Sequence, residues 1–253
     1  MSSPMSNTRR WKQAALVLPP EVSAASVRGA LHESEGLPNQ DAWSSARGTF
    51  GVVLIACDGL GSRAISHIGA RAACRAVRTA VKEVHVGRVP RARVCERVEK
   101  LWGAFLGKAP PADAATTCRF VWLRPDGRLL AAARGDGLTV LVSRGRPARL
   151  LVTTADDSFA NLTEALGGSG SWTKQEMPCA GPATIMIATD GVSGDLRVNR
   201  VGEFATWLAS RLGTKSETAR RSIVRRLLLK WPVEKHFDDK TLCVLSSFGR
   251  WIA

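Results

Sequence analysis

No tyrosine occurs in the 253 residues, although the chain carries eight tryptophans. We have no physical account of that omission, but the other absences are informative. No apolar run approaches the ~20 residues that a bilayer-spanning helix needs, so no membrane association is expected. Arg9 and Arg10 are followed only by a broken apolar stretch, which argues against a secretory signal and for a cytoplasmic protein. The cysteines, Cys57, Cys74, Cys95, Cys118, Cys179 and Cys243, form no C-x-x-C pair. They read as small core residues in a reducing cytosol rather than zinc ligands. There is no Walker phosphate loop, and Gly167-Gly168-Ser169-Gly170 is no nucleophile elbow, which excludes NTPase and serine-hydrolase chemistry on those templates. Acidic residues are in deficit, 22 against 36 lysines and arginines, for a net charge of +14. That charge attracts polyanions, including phosphorylated proteins. The basic residues are scattered, apart from Arg88, Arg91 and Arg93 around Pro90 and the stretch from Arg220 to Lys230. A dedicated nucleic-acid-binding role is therefore not expected.

What remains describes one substantial domain, residues 21–253, after a flexible tail over residues 1–20 that ends at Pro19-Pro20. Strand-like runs are expected at Ala24–Leu31, Thr49–Cys57, Cys118–Leu123, Arg128–Ala133, Leu138–Ser143, Arg149–Thr153, Thr184–Ala188 and Thr241–Ser246. Helical spacing marks Ile65–Val84, Ala92–Leu106 and Glu203–Leu212. Another helix opens with the capping-box pair Thr214 and Glu217 and ends at Pro232. On it, Ala219, Ile223, Val224, Leu227 and Leu228 share the apolar face, and the basic face with Arg220, Arg221 and Arg225 reads as solvated. Many strands in succession with few intervening helices predict an α+β, four-layer α/β/β/α sandwich of two antiparallel sheets flanked by helices.

Acidic motifs carry the chemistry. In chain order they are Asn39-Gln40-Asp41, Asp58-Gly59-Leu60-Gly61-Ser62, the weaker Gly135-Asp136-Gly137, Thr189-Asp190-Gly191-Val192 and Asp238-Asp239-Lys240-Thr241. Asp58, Asp136 and Asp190 each closely follow an apolar run. An Asp-Gly pair is by itself the signature of a hairpin turn, and Asp126-Gly127 is read that way. Asp58 and Asp190 differ, because small residues rather than a second alternating strand follow them. Carboxylates at the ends of buried strands can converge on one point, and several together need a compensating charge that hard divalent cations supply. Gly59 to Ala64 also fits a dinucleotide fingerprint. That match lacks the parallel βαβ unit it requires and leaves Asp41, Asp190 and Asp238 unexplained.

The ordered series resembles the metal-dependent protein phosphatase family of the protein phosphatase 2C type, over residues from about 24 to 247. The segment GLPNQDAW is most similar to a bacterial branch, and Thr116-Thr117 before a strand also fits the family pattern. The resemblance implies two Mn²⁺ or Mg²⁺ ions, with a third held more weakly. Asp58 would bridge both ions and the Gly59 carbonyl would bind one of them. Asp190 and Asp238 would ligate the other, Asp41 would hold a water on a metal, and Asp136 would help bind the third ion. Asp58, Asp190 and Asp238 would be the catalytic set. The activity implied is hydrolysis of phosphoserine and phosphothreonine in a phosphorylated protein, a kinase or a kinase target.

Three positions depart from the family pattern. Gly36 stands where many members carry a phosphate-gripping arginine, and Leu60 where many carry a histidine. Gln40 replaces an acidic residue of some relatives. Arg28 or His32 are the candidates to replace the arginine, His32 being equally readable as an ordinary surface residue. The alternative implied by these departures is a regulatory or binding module of the same fold with little or no turnover.

Overall fold

The computed structural model describes residues 20–152, 164–168, 170–179, 181–213, 215–232 and 237–247. The expected tail lies outside them apart from Pro20, as do Thr153, Ser169 and Thr214. Strands are numbered along the chain. β1 (Glu21–Val27), β10 (Lys240–Ser247), β9 (Ala183–Ala188), β6 (Leu138–Ser143) and β7 (Arg149–Leu150) form one sheet in that spatial order. β2 (Ala42–Gly48), β3 (Gly51–Cys57), β4 (Cys118–Leu123), β5 (Arg128–Arg134) and β8 (Thr173–Pro178) form the other. Every pairing is antiparallel.

Side-chain alternation turns these sheets into layers. Along β3, Val53, Ile55 and Cys57 enter one core, packed against α2 (Ser66–His85) and α3 (Val94–Leu106). Val52, Leu54 and Ala56 enter a second core between the sheets, where they meet Ile185, Ile187, Cys243 and Leu245. The other faces of β9 and β10, with Met186, Ala188, Leu242 and Val244, enter a third core under α5 (Val201–Leu212) and α6 (Glu217–Leu229). A strand buried on both faces has no polar side to show, which is why β3 reads as an unbroken apolar run. Each fully buried side chain such as Leu54 or Ile55 contributes about 1.5–3 kcal/mol. The chain thus forms the expected α/β/β/α sandwich. All six cysteines are free and buried. Among the described residues no helix is long and apolar enough to cross a membrane.

Some expectations need correction. The first strand ends at Val27, and Ala30–Ser34 forms a short helix, α1. A Cβ at Gly29 would lie 2.1 Å from the Phe237 carbonyl oxygen. The Gly29 amide donates to Asp239 Oδ1, so the chain leaves the sheet there and turns. β2 and β8 carried no strand signal because both are edge strands of their sheet, with sequences AWSSARG and TKQEMP. α6 is capped by Ser216, whose hydroxyl accepts the Ala219 amide. Arg220 is not on a solvated face. It is 1% exposed and stacks in the helical i, i+4, i+8 line with buried Val224 and Leu228, ion-paired to Glu21. Asp126-Gly127 is indeed a turn joining β4 and β5, with the Gly127 amide donating to the Arg124 carbonyl.

The antiparallel order gathers the acidic motifs at one edge. The end of β3 lies beside the start of β2, with Ala42 opposite Cys57. The end of β9 lies beside the starts of both β10 and β6, since Ala188 is opposite Leu242 and Leu138. The turn from β5 into β6 carries Asp136.

Candidate metal centre

Asp58 sits one residue beyond β3, and its backbone is fixed from two sides. Its amide donates to Thr117 Oγ1 at 3.1 Å, while its carbonyl accepts the Thr117 amide at 2.7 Å and the Thr116 hydroxyl at 2.8 Å. The Gly59 amide donates to the Gln40 carbonyl at 3.2 Å, and the Leu60 amide to the Ala115 carbonyl at 3.0 Å. A Cβ at Gly59 would come within 2.7 Å of Ser66 Cβ and 2.9 Å of the Gln40 carbonyl oxygen, so only glycine fits. Gly191 is equally confined, its hypothetical Cβ lying 1.9 Å from the Asp239 carbonyl oxygen. Asp190 opens α4 (Asp190–Ser193), a single helical turn directly after β9.

The fold brings Asp58, Asp136 and Asp190 together: each offers a carboxylate oxygen, and these oxygens lie within 4.8 Å of one another. Asp136 is exposed and the other two are half-buried. Asp41 is buried beside them. Its amide donates to Asn39 Oδ1 at 2.9 Å, and its Oδ2 accepts the Thr189 hydroxyl at 2.8 Å. That hydroxyl in turn accepts the Thr241 amide at 3.0 Å. Asp41 Oδ1 and Asp190 Oδ1 are both buried without a hydrogen-bond donor among the described residues. Burial, with Asp239 and Asp190 adding repulsion, pushes the Asp41 carboxyl up to about 8. Desolvation followed by the charges of Asp41, Asp190 and Asp238 raises Asp58 well above the usual carboxylate range. Asp238 is exposed, and desolvation and Asp190 raise its carboxyl too. It stands outside the three-carboxylate group yet within electrostatic reach of it.

The adjacent aspartate, to which the sequence reading gave no role, has a different position. Asp239 is 2% exposed and fully engaged. Its Oδ1 accepts the Gly29 amide at 2.7 Å, and its Oδ2 accepts the Gln40 amide at 2.5 Å and lies 3.0 Å from His32 Nδ1. Asp239 therefore ties α1 and the Gln40-Asp41 segment to the start of β10. His32 is consequently not a surface residue, and its ring is committed to Asp239. Arg28 donates to the Leu37 carbonyl at 3.2 Å and pairs with Glu33 at 3.6 Å. Gly36 adopts a φ of +68° with nothing within 4 Å of its hypothetical Cβ, so the surface is open at that position.

Arg119 was also missed, because an arginine within a run of strand residues gives no sign of where it points. It is 4% exposed on β4. Its Nε donates to the Asp136 carbonyl at 2.6 Å and its Nη2 to the Gly135 carbonyl at 3.1 Å, with Nη1 3.4 Å from Thr139 Oγ1. Burial lowers its pKa to about 10, so it stays protonated near neutral pH and grips the backbone that carries Asp136. The donors of the cluster are all oxygens, and its orphaned buried atoms are acceptors. Such a set fits hard divalent cations.

The family model described as Protein phosphatase 2C matches residues 28–229. The chain belongs to the protein phosphatase 2C family. The match ends before β10, so the placement of Asp238 comes from the fold alone. Solved structures of this fold agree. The catalytic domain of the serine/threonine phosphatase PstP, in complex with two manganese ions, is 18% identical. Its TM-score is 0.62, and the alignment covers 90% of this chain and 98% of that one. MsPP from Mycobacterium smegmatis, a PPM Ser-Thr phosphatase in complex with cacodylate, is 20% identical, with a TM-score of 0.61 and 90% and 98% coverage. RsbX in complex with magnesium is 13% identical, with a TM-score of 0.59 and 92% and 99% coverage. No curated protein matches this protein phosphatase 2C chain by sequence.

Proposed function

We propose that this protein is a Mn²⁺- or Mg²⁺-dependent phosphatase acting on phosphoserine or phosphothreonine in a partner protein. The observation that carries the reading is the meeting of Asp58, Asp136 and Asp190 within 4.8 Å at the edge of a protein phosphatase 2C fold. The manganese of PstP and the magnesium of RsbX support the choice of ions. In this reading Asp58, the Gly59 carbonyl, Asp190 and Asp238 would hold two ions, and Asp136 would help to hold a third. When bound, the cations lower the pKa of the attacking water and offset charge developing on the phosphoryl oxygens. The chain's own contribution is orientation. Thr189 holds Asp41 through Oδ2 at 2.8 Å, which leaves Oδ1 to accept a hydrogen bond from the attacking water. Leu60 offers no proton to the leaving alkoxide, so that proton comes from solvent.

A specific observation also favours a second reading. With Gly36 open and Arg28 and His32 engaged elsewhere, no side chain at those positions grips the substrate phosphate. A family member of this kind could bind metal or a phosphoprotein with little turnover. The discriminating experiment is hydrolysis of a phosphothreonine peptide by purified protein with Mn²⁺, with Mg²⁺ and with chelator. Turnover in either metal and none in chelator supports the enzyme. Metal binding without turnover supports the binding module.

Arg119 supplies a further check on the same site. Lysine in its place keeps a charge but cannot span both carbonyls of Gly135 and Asp136. Loss of an outer partner of this kind typically costs 10–100-fold in metal affinity. Arg119→Lys is expected to weaken Mn²⁺ binding by about that factor in calorimetric titration, with an unchanged circular dichroism spectrum. Unaltered affinity would show that Arg119 only fills space.

A further inference from the structure

A cleft of about 340 Å³ lies at the other end of β6 from the carboxylate cluster, where the chain crosses from β8 to β9. Three arginines line it, Arg144, Arg146 and Arg149, and among the described residues no acidic one does. Its apolar walls include Met177, Pro178 and Pro182. Arg149 opens β7, and Arg144 and Arg146 are presented by the tight turn between β6 and β7. Gly145 there has a φ of +72°, and the Arg146 amide donates to the Ser143 carbonyl at 3.1 Å. All three are exposed. Among the described residues none of them takes part in an ion pair.

Some other arginines are already paired. Arg124 and Arg128 share Glu176, and in the cleft beside α3 Arg93 and Arg97 are paired with Glu96 and Glu83. Three guanidinium groups around one concavity, without an ion-pair partner among the described residues, repel each other, and an anion relieves that repulsion. Guanidinium forks match the oxygens of a phosphate two at a time, and proline and methionine walls exclude water and strengthen the contact. The volume lies at the small end of ligand pockets, which run roughly 300–1,000 Å³. It admits a side chain and its neighbours rather than the face of a nucleic-acid duplex.

We propose that this cleft is a non-catalytic docking site for a phosphorylated side chain of a partner protein. The inference rests on the phosphoprotein reading above in naming a phosphopeptide as the ligand. β6, six residues and about 20 Å long, separates it from the carboxylates, so a phosphate held here is not the one being hydrolysed. A multiply phosphorylated partner would be anchored by one phosphate while another enters the metal centre.

The test uses fluorescence anisotropy of a labelled doubly phosphorylated peptide with the full chain carrying Asp58→Asn, in chelator, so that neither turnover nor metal-held phosphate contributes. Combining Arg144→Ser, Arg146→Ser and Arg149→Ser is expected to weaken binding at least tenfold without shifting the melting temperature, and the unphosphorylated peptide should bind far more weakly. Equal affinity of the parent and the arginine variant would overturn the proposal, as would equal affinity for the unphosphorylated peptide. Displacement of the peptide by a short DNA duplex at lower concentration than by unlabelled phosphopeptide would overturn it in favour of a general polyanion surface. Because no step is catalytic, loss of this binding and absence of phosphatase turnover are separate outcomes.

Discussion

Asp58→Asn is expected to lower metal-dependent turnover of a phosphothreonine peptide at least about a thousandfold, equivalent to roughly 4 kcal/mol of transition-state stabilisation. Asparagine has the same shape, and every backbone contact that fixes this position, to Thr116 and Thr117, survives the change. What disappears is one negative charge from the three carboxylates that meet within 4.8 Å. In the proposed arrangement that charge would serve both ions, so its loss would remove more than that of a single-ion ligand. The measurement is initial rate against Mn²⁺ concentration, with circular dichroism to establish that the variant is folded. Retention of more than about a tenth of the parent rate at saturating metal would remove Asp58 from the catalytic set.

The second large effect is on stability. Chelated protein is expected to melt at progressively lower temperature as pH rises from about 5 to about 8, and Mn²⁺ is expected to reverse the loss. The sign follows from Asp41. Its folded-state carboxyl is pushed from 3.8 up to about 8, so the native protein holds this proton where the unfolded chain releases it. Between those values the native state binds more protons than the unfolded one, and each increment of pH favours unfolding. Asp58 and Asp238 are raised too and act in the same direction. An ion present at 100 times its dissociation constant adds about 2.7 kcal/mol, or roughly 5–11 °C per ion for a domain of this size. Scanning fluorimetry at pH 5, 6.5 and 8, with chelator and then with Mn²⁺, reads both effects. A chelated protein whose melting temperature rises steadily across that range would contradict the repulsive-cluster description.

The legibility of this fold in its sequence divides along physical lines. Strands such as Cys118–Leu123 and Leu138–Ser143 are largely apolar and bounded by turns, and the structure has them at those residues. β2 and β8 left no pattern because an edge strand can be polar on much of its surface. The expected first strand ran on to Leu31, past its end and into α1, because the turn at Gly29 is stabilised by Asp239, some 210 residues away in sequence, and no local pattern encodes such a partner. Arg220 was read as solvated for a related reason: its ion-pair partner, Glu21, lies on a strand at the far end of the chain. The acidic motifs were legible because glycines and strand ends accompany them. The supporting groups, Arg119, Thr189 and Asp239, were not, because their roles depend on register between strands distant in sequence.

The pairing of β1 with β10, from Glu21 opposite Ser246 to Val27 opposite Lys240, has a consequence for biogenesis. A ribosome adding about 5–20 residues per second needs roughly 10–45 s to synthesise the stretch between these partners. Throughout that interval β1 has no neighbour in its sheet, and Asp238 and Asp239 do not yet exist to organise the Gln40-Asp41 segment. The nascent chain therefore displays an unpaired strand and an incomplete centre until its last strand docks. Contacts this far apart in sequence make for slow folding. They also tie closure of this sheet to β10: neither its pairing with β1 nor the link from Asp239 to the Gln40-Asp41 segment can form before β10 is made.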